Sequence, residues 1–240
     1  MFTIQLAGIK IAIENKHNFV KEVCRNYIIE SLDYDFAVSV NNESIEDEKS
    51  KYREIHSEGF IESVCLYREI ANLLPKYDAF VLHSAAIVAD GYAHCFAAKS
   101  GVGKTTHILN WLNVYGNKVY VINGDKPVIR SINEKPYVFG TPWSGKEDLN
   151  RNTSAPLKSI CFLKRSDKNS VSEIDKQTAL KLCLHQIYLP SNREASVKTI
   201  DLLGKTLDNA KLYNLLCNKD SEAAIIAYNA LCKEDINESN

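Results

Sequence analysis

A stretch of nine residues, Ala98–Thr106, constrains the fold of this chain more than any other feature. It fits the phosphate-binding pattern G-x-x-x-x-G-K-[ST], with Ala98 in place of the first glycine. Gly101 and Gly103 have no side chains, so the backbone can turn sharply and point consecutive N–H groups at phosphate oxygens. Because the pattern needs a strand before it and a helix after it, we expect an α/β unit here. The alternative is a glycine-rich turn that binds nothing.

The residues on both sides of this loop match that requirement. Residues 83–89 and 93–97 read as two short strands separated by the turn Asp90-Gly91, and residues 107–112 carry apolar side chains at helical spacing. Gly116-Asn117 offers a stop for that helix. The residues expected to hold phosphate groups are Ser100, Gly101, Val102, Gly103, Lys104, Thr105 and Thr106.

Two side chains of the loop have predicted chemical roles. Lys104 supplies a mobile positive charge for the outer phosphates, and the Thr105 hydroxyl is a ligand for Mg²⁺. The helix that follows points the positive end of its dipole at the same anion.

Composition excludes some classes of function. The chain has 240 residues, with 29 basic and 30 acidic side chains and a net charge of −1, which argues against a nucleic-acid-binding protein. No apolar run is long enough to cross a bilayer, and the first residues lack a basic segment and a cleavage site, so no membrane association is expected. The seven cysteines show no CxxC pairing, which favours reduced, buried thiols in a cytoplasmic protein over a zinc site.

Hydrophobic patterning predicts a mixed α/β chain with two parts. Residues 1–75 are predicted to form an N-terminal α+β extension, the region expected to select a substrate or partner. Its predicted elements are a strand at 2–13, a helix near 19–24, a strand at 36–40, a solvated helix or loop at 43–54 and a helix at 61–74.

Residues 76–240 are predicted to form the core. Its further elements are strands at 119–123, 128–132, 137–140 and 157–163, helices over 175–231 around a strand at 211–215, and a frayed polar tail at 234–240.

Asp125 and His83 are the strongest candidates for chemistry outside the loop. Asp125 follows the apolar strand 119–123, where its carboxylate suits a Mg²⁺ contact or a general base. The alternative is ordinary turn chemistry at Gly124-Asp125. His83 ends an apolar stretch, and histidine titrates near neutral pH, which suits proton transfer if this side chain faces the loop. A hydrogen-bonded structural histidine is the alternative.

The segment 140–147 is the second unusual feature. Its glycines allow the backbone to approach a ligand, Lys146 could neutralise phosphate charge, and Trp143 could wall a pocket or stack on a base. A tight loop with a packed tryptophan and an exposed lysine fits the same spacing equally well. Arg151 and Arg165 are candidate transition-state clamps, although most arginines are surface residues.

The order of these motifs resembles the HPr kinase/phosphorylase family. Three segments carry the resemblance: His83-Ser84-Ala85, Lys99–Thr106 and Gly124-Asp125-Lys126-Pro127. The resemblance covers residues 78–165 and is nearer to the smaller HPr-kinase-like proteins of bacteria, which share the 140–146 type of segment. It implies a mixed-sheet P-loop core of the kind shared with phosphoenolpyruvate carboxykinase, with flanking helices.

The resemblance also implies roles for individual residues. Residues 101–106 would hold the phosphates of ATP, His83 would lie beside the active site, and Asp125 would be the metal-linked or catalytic carboxylate, with Thr105 and Asp125 holding Mg²⁺. HPr kinases carry two adjacent aspartates after the strand, whereas the first is Gly124 here, and a counterpart of their carboxy-terminal signature is missing. HPr itself is therefore not the expected substrate. Because HPr kinases are oligomers, a homo-oligomer is a further expectation.

These residues lead to one expected function and one main alternative. The expected function is an ATP-dependent, Mg²⁺-assisted kinase that transfers the γ-phosphoryl group to a hydroxyl of a peptide serine or a small molecule. Lys104 and Lys146 would offset developing charge, and Asp125 or His83 would accept the proton. The alternative is a nucleotide-binding regulatory or assembly module with vestigial phosphotransfer. A decarboxylating enzyme like the carboxykinase fits less well, because the chain is short and lacks an evident carboxylate-binding set. GTP and pyrophosphate remain open as donors.

Overall fold

The computed structural model describes residues 1–233, so the predicted polar tail at 234–240 lies outside the described residues. The N-terminal part contains a four-stranded sheet with the strand order β3-β1-β2-β4. Its strands are β1 (Phe2–Leu6), β2 (Ile9–Glu14), β3 (Ile28–Ile29) and β4 (Phe36–Ser39).

The first two strands correct the prediction of a single strand over 2–13. Ala7 and Gly8 adopt φ values of 52° and 76°, and this two-residue turn folds β1 and β2 into an antiparallel hairpin. A turn with two positive φ values suits the right-handed twist of the strands it joins. The predicted strand at 36–40 is confirmed as β4.

Three helices cover this small sheet: α1 (Asn18–Val23), α2 (Asn42–Ser50) and α3 (Glu58–Leu73). The Ser57 side chain accepts a hydrogen bond from the Phe60 N–H and so caps the first turn of α3. The charged segment expected to be a solvated helix or loop is helical over α2, but one of its acidic side chains is buried. Glu48 is 3% exposed and pairs with Arg68 at 2.6 Å.

The larger sheet has nine strands in a mixed arrangement, and seven of them follow the order β5-β9-β10-β11-β7-β6-β8. β13 pairs with β11 in parallel and with β12 in antiparallel. The strands are β5 (Ala79–Val81), β6 (Ser84–Ala89), β7 (Tyr92–Ala97), β8 (Val119–Asn123), β9 (Val128–Ile132), β10 (Lys135–Phe139), β11 (Ser154–Arg165), β12 (Ser170–Glu173) and β13 (Lys211–Cys217). The predicted hairpins β6–β7 and β9–β10 are confirmed.

Helices pack on both faces of the central strands, which confirms the mixed α/β prediction. On one face lie α4 (Lys104–Tyr115) and α7 (Glu222–Cys232), whose Trp111 and Ala227 join a buried cluster with Phe96. On the other face lie α5 (Lys176–Cys183) and α6 (Arg193–Asp208), whose Ala179 and Leu203 pack with strand residues such as Ile160. Within residues 1–233, none of the helices has the length and apolar character needed to span a membrane.

Candidate functional site

The glycine-rich loop connects β7 to α4 and lies at the carboxyl ends of the central strands. Gly101 and Gly103 adopt φ values of 78° and 125°, a region that residues with a side chain rarely occupy. A Cβ atom built on either glycine would meet no heavy atom within 4 Å. The glycines are therefore required by backbone conformation, and the space beside them is open to a ligand.

Lys104 is the first residue of α4, and its side chain folds back over the loop. The ammonium Nζ donates to the Ala98 carbonyl at 2.9 Å and lies 3.1 Å from His83 Nε2. The residue is only 8% exposed. Burial lowers the pKa of Lys104, and the negative charge of Asp125 opposes that shift. The structure thus brings Lys104 and His83 together, and the histidine faces the loop, which was the condition for a role in proton transfer; that role stays a prediction.

Asp125 completes this cluster from the turn after β8. Its Oδ1 lies 3.0 Å from His83 Nε2, and its Oδ2 contacts the ammonium of Lys126. Burial by itself raises the pKa of the Asp125 carboxyl, but the hydrogen bond with His83 and the charge of Lys126 outweigh that effect and hold the pKa well below its usual range. Asp125 is therefore an anion at neutral pH. The sequence predicted no role for Lys126, which belongs to the Gly124–Pro127 motif.

Asn123 fixes the backbone that carries Asp125, and sequence reasoning missed it. Its side chain is fully buried. Its Oδ1 accepts hydrogen bonds from the backbone N–H groups of Asp125 and Lys126 at 2.8 and 2.7 Å, and its Nδ2 donates to the carbonyl and hydroxyl oxygens of Thr141 at 2.9 and 3.0 Å. The sequence signal for its role is weak: Asn123 is a polar residue at the end of the otherwise mostly apolar strand β8.

The segment 140–147 packs against this turn. Gly145 has a φ of 89°, and a Cβ built there would lie 3.3 Å from the Cβ of Asp125. Trp143 Nε1 donates to Ser63 Oγ at 3.0 Å, and its ring lies 5.4 Å from that of Tyr67, so this tryptophan packs on α3. Lys146 is exposed. The arrangement is that of a packed tryptophan with an exposed lysine, and the charge-neutralising role of Lys146 stays a prediction.

Gly124 stands where the resemblance implies the first of two adjacent aspartates, and the structure gives a steric reason for the difference. A Cβ built on Gly124 would lie 2.8 Å from the carbonyl oxygen of Ser144, which is closer than real Cβ atoms approach backbone oxygen. An aspartate at this position would require the 140–147 segment to move. This chain therefore presents a single carboxylate after β8.

The two candidate arginines lie in different places. Arg165, at the end of β11, donates from Nε to the Val102 carbonyl at 3.1 Å and from Nη2 to the Gly101 carbonyl. Its guanidinium thus braces the glycine-rich loop. Arg151 instead lies over the ring of Tyr120, with 5.1 Å between its Cζ and the ring centroid, near the start of β8.

Two cavities adjoin the loop. The larger one, of about 590 Å³, is lined by Gly103 and Thr106 and by residues after the ends of β11 and β13, including Asp167 and Asp220. The smaller one, of about 340 Å³, lies between the start of the loop, the end of β11 and the end of α5.

The donor atoms of the loop and the turn fit a nucleotide with Mg²⁺. An open cradle of glycine backbone with a lysine at a helix N-terminus suits a chain of phosphates. The Thr105 hydroxyl and the ionised Asp125 carboxylate are oxygen ligands of the type that Mg²⁺ prefers. Among the described residues, no three His, Cys, Asp or Glu side chains are grouped so that they could hold a metal ion without a ligand's help.

Known proteins offer little direct guidance for this chain. No protein-family model and no curated protein sequence matches it. A solved structure, the Hpr(Ser) kinase/phosphatase from Coxiella burnetii, aligns over 65% of this chain and 98% of that chain, with a TM-score of 0.36 and 10% sequence identity. Similarity at this level does not establish a family or a function.

Proposed function

We propose that this protein is an ATP-dependent, Mg²⁺-assisted kinase that transfers the γ-phosphoryl group to a hydroxyl. One observation carries the proposal: the open glycine cradle with Lys104 lies directly beside an ionised carboxylate and a histidine. A phosphate-binding loop alone would support binding, whereas phosphoryl transfer also needs groups that orient the attacking oxygen. Asp125 and His83 supply such groups.

The reaction follows from these positions. The acceptor hydroxyl oxygen attacks the γ-phosphorus, the bond from that phosphorus to the β,γ-bridging oxygen breaks, and ADP leaves with the bond's electrons. Lys104 offsets negative charge on the outer phosphates, and the backbone N–H groups of the loop hold their oxygens. Mg²⁺, when bound with the nucleotide, neutralises phosphate charge, and Thr105 and Asp125 are the residues that would hold it.

The depressed pKa of Asp125 bears on its role as a base. A carboxylate with a low pKa is a weak base, so it orients the hydroxyl better than it removes the proton before attack. A loose transition state needs little deprotonation in advance, because the proton leaves as the new phosphorus–oxygen bond forms. Asp125 then receives the proton, because His83 Nε2 already carries the hydrogen that it donates to Asp125 Oδ1.

The larger cavity is the place we assign to the nucleoside. In the sheet, β7 has β6 and β8 on one side and β11 and β13 on the other. Asp125 follows β8, whereas the 590 Å³ cavity lies at the ends of β11 and β13. A nucleotide whose terminal phosphate faces Asp125 would therefore extend its nucleoside past Thr106 into this cavity.

The proposal is tested with γ-labelled ATP, Mg²⁺ and a set of candidate hydroxyl acceptors. We expect wild type to label an acceptor and Lys104→Ala to lose that labelling by at least about a hundredfold. Lys118→Ala is the matched control, because Lys118 is exposed just beyond the opposite end of α4. Equal labelling by wild type and Lys104→Ala would refute the proposal.

Gly124 supports a second candidate, a nucleotide-binding regulatory module with little turnover. The backbone of Ser144 leaves no room for the first of the two adjacent aspartates that the resemblance to HPr kinases implies at this position. In this case ATP should raise the melting temperature by mass action without being consumed. ATP hydrolysis or transfer that disappears in Asp125→Asn would exclude this alternative.

A further inference from the structure

We propose that the smaller, 340 Å³ cavity binds the non-reacting part of the acceptor, and that this part combines an apolar group with a carboxylate. This inference rests on the proposed kinase function and adds the chemical class of the acceptor to it. The position of the cavity, its apolar walls and its basic rim each support it.

The cavity adjoins the reacting groups. Its lining includes Ala98, whose carbonyl accepts from Lys104, and Gln186, whose backbone carbonyl accepts from the His83 N–H at 2.6 Å. The cavity therefore shares backbone with both the phosphate loop and the segment that carries His83. A hydroxyl placed at Asp125 and His83 has the rest of its molecule within reach of this space.

The walls are apolar and the rim is basic. Phe162, Leu163 and Leu182 form walls, while the rim carries exposed Lys164 and Arg165 together with Lys99. No carboxylate is among the described residues that line this cavity, whereas two aspartates line the larger cavity. The smaller cavity thus suits an apolar group with a negative charge beside it.

Two sources supply this chemistry: an acidic peptide segment with a leucine-sized residue beside its serine, or a small N-acylated dipeptide of a serine and an apolar residue with a free carboxylate. The probes are acetyl-Glu-Glu-Ser-Leu-Glu-amide for the first source and N-acetyl-seryl-leucine for the second. Two further peptides replace the leucine by glutamine or all the glutamates by lysine. Phosphorylation of each is measured as kcat/KM with Mg²⁺-ATP.

We expect the leucine-to-glutamine and glutamate-to-lysine changes each to lower kcat/KM by about tenfold or more. Leu182→Trp fills the cavity and should remove the preference for leucine. Leu184→Trp is the matched control, because Leu184 caps the same helix, is 39% exposed and is outside the lining. Lys164→Glu changes an exposed side chain but leaves Lys99 and Arg165 at the rim, so it should weaken the preference for acidic over basic peptide.

The outcomes separate this inference from the kinase proposal. Phosphorylation of N-acetyl-seryl-leucine over the peptide identifies the small-molecule source, and the reverse identifies the peptide source. Equal use of all probes, use of none, or unchanged preferences in both Leu182→Trp and Lys164→Glu would overturn the acceptor inference. In each of these cases ATP should still raise the melting temperature of wild type but not of Lys104→Ala. Failure of that shift would count against the kinase proposal itself.

Discussion

Replacing Asn123 by alanine tests whether one buried amide holds the turn that carries Asp125. The change leaves three backbone groups without their partner: the N–H groups of Asp125 and Lys126 and the carbonyl of Thr141. A buried polar group left unpaired costs about 1–3 kcal/mol. The turn is partly exposed, and water can reach some of these groups, so we use the lower end for each. The expected loss in the free energy of unfolding is about 3 kcal/mol.

The assay is thermal and urea unfolding of wild type and Asn123→Ala. For a chain of this size, about 3 kcal/mol corresponds to a fall of roughly 6 to 12 °C in the melting temperature. Asn72→Ala is the matched control, because the Asn72 side chain accepts two longer hydrogen bonds, at 3.3 Å from the Tyr188 hydroxyl and 3.4 Å from the Ser191 N–H. It should cost less than about 1 kcal/mol.

A second measurement separates the effect on the site from the effect on stability. Within residues 1–233, no hydrogen bond joins the Asn123 side chain to the glycine-rich loop, so the affinity for ATP measured without Mg²⁺ should change little in Asn123→Ala at a temperature where it is folded. The rate of phosphoryl transfer should fall by about a hundredfold, because a small displacement of Asp125 misplaces the attacking oxygen. The reasoning is refuted if Asn123→Ala unfolds no more easily than Asn72→Ala.

Three further predictions follow from the same site. Gly124→Asp should lower the free energy of unfolding by about 1–3 kcal/mol, because the Ser144 carbonyl lies 2.8 Å from the position of the new Cβ; an unchanged urea midpoint, or a gain in activity, would contradict this. The folded-state pKa of Asp125 is depressed, so the unfolded chain takes up that proton first, near pH 4. The stability that Asp125 contributes is then complete above that pH and is lost as the pH falls further, so Asp125→Asn should show a shallower loss of stability between pH 5 and 3 than wild type; equal slopes would speak against it. Gly103→Ala should weaken nucleotide binding and cost about 1–3 kcal/mol of strain, since φ is 125° there; a calorimetric affinity equal to that of wild type would rule this out.

Local sequence signals predicted the elements around the glycine-rich loop because each signal and its effect lie close together in the chain. The turn Asp90-Gly91 and the glycine at the end of α4 act on their immediate neighbours. The turn at Ala7-Gly8 was missed because it lacks the usual Asn-Gly or Asp-Gly pair, although the large apolar residues shift there from positions 2, 4 and 6 to positions 9, 11 and 13. Short strands such as β3 and β5, of two and three residues, offer too few positions to show a period.

The candidate site likewise contains some residues that the sequence could predict and others that it could not. His83, Lys104 and Asp125 were predicted from residue type and position, and the structure places them together. The roles of Asn123 and Gln186 could not be predicted, because each depends on groups far away in sequence. Asn123 bonds Thr141, 18 residues away, and Gln186 meets His83 through a backbone contact between separate elements. Pairings of this kind arise from tertiary packing and leave no periodic pattern in the chain.

The contacts of the His83 ring link the binding of phosphate in the glycine-rich loop to the hydrogen bonding of the Asp125 carboxylate. Nε2 faces both the Lys104 ammonium and Asp125 Oδ1, yet a single ring nitrogen either accepts from the first or donates to the second. A phosphate that draws the ammonium away leaves Nε2 to the carboxylate alone. The imidazole then changes from an acceptor for the Lys104 ammonium into a donor to the Asp125 carboxylate. In the proposed reaction, binding of ATP thereby prepares His83 and Asp125 for the acceptor, whereas an empty loop keeps His83 in contact with Lys104.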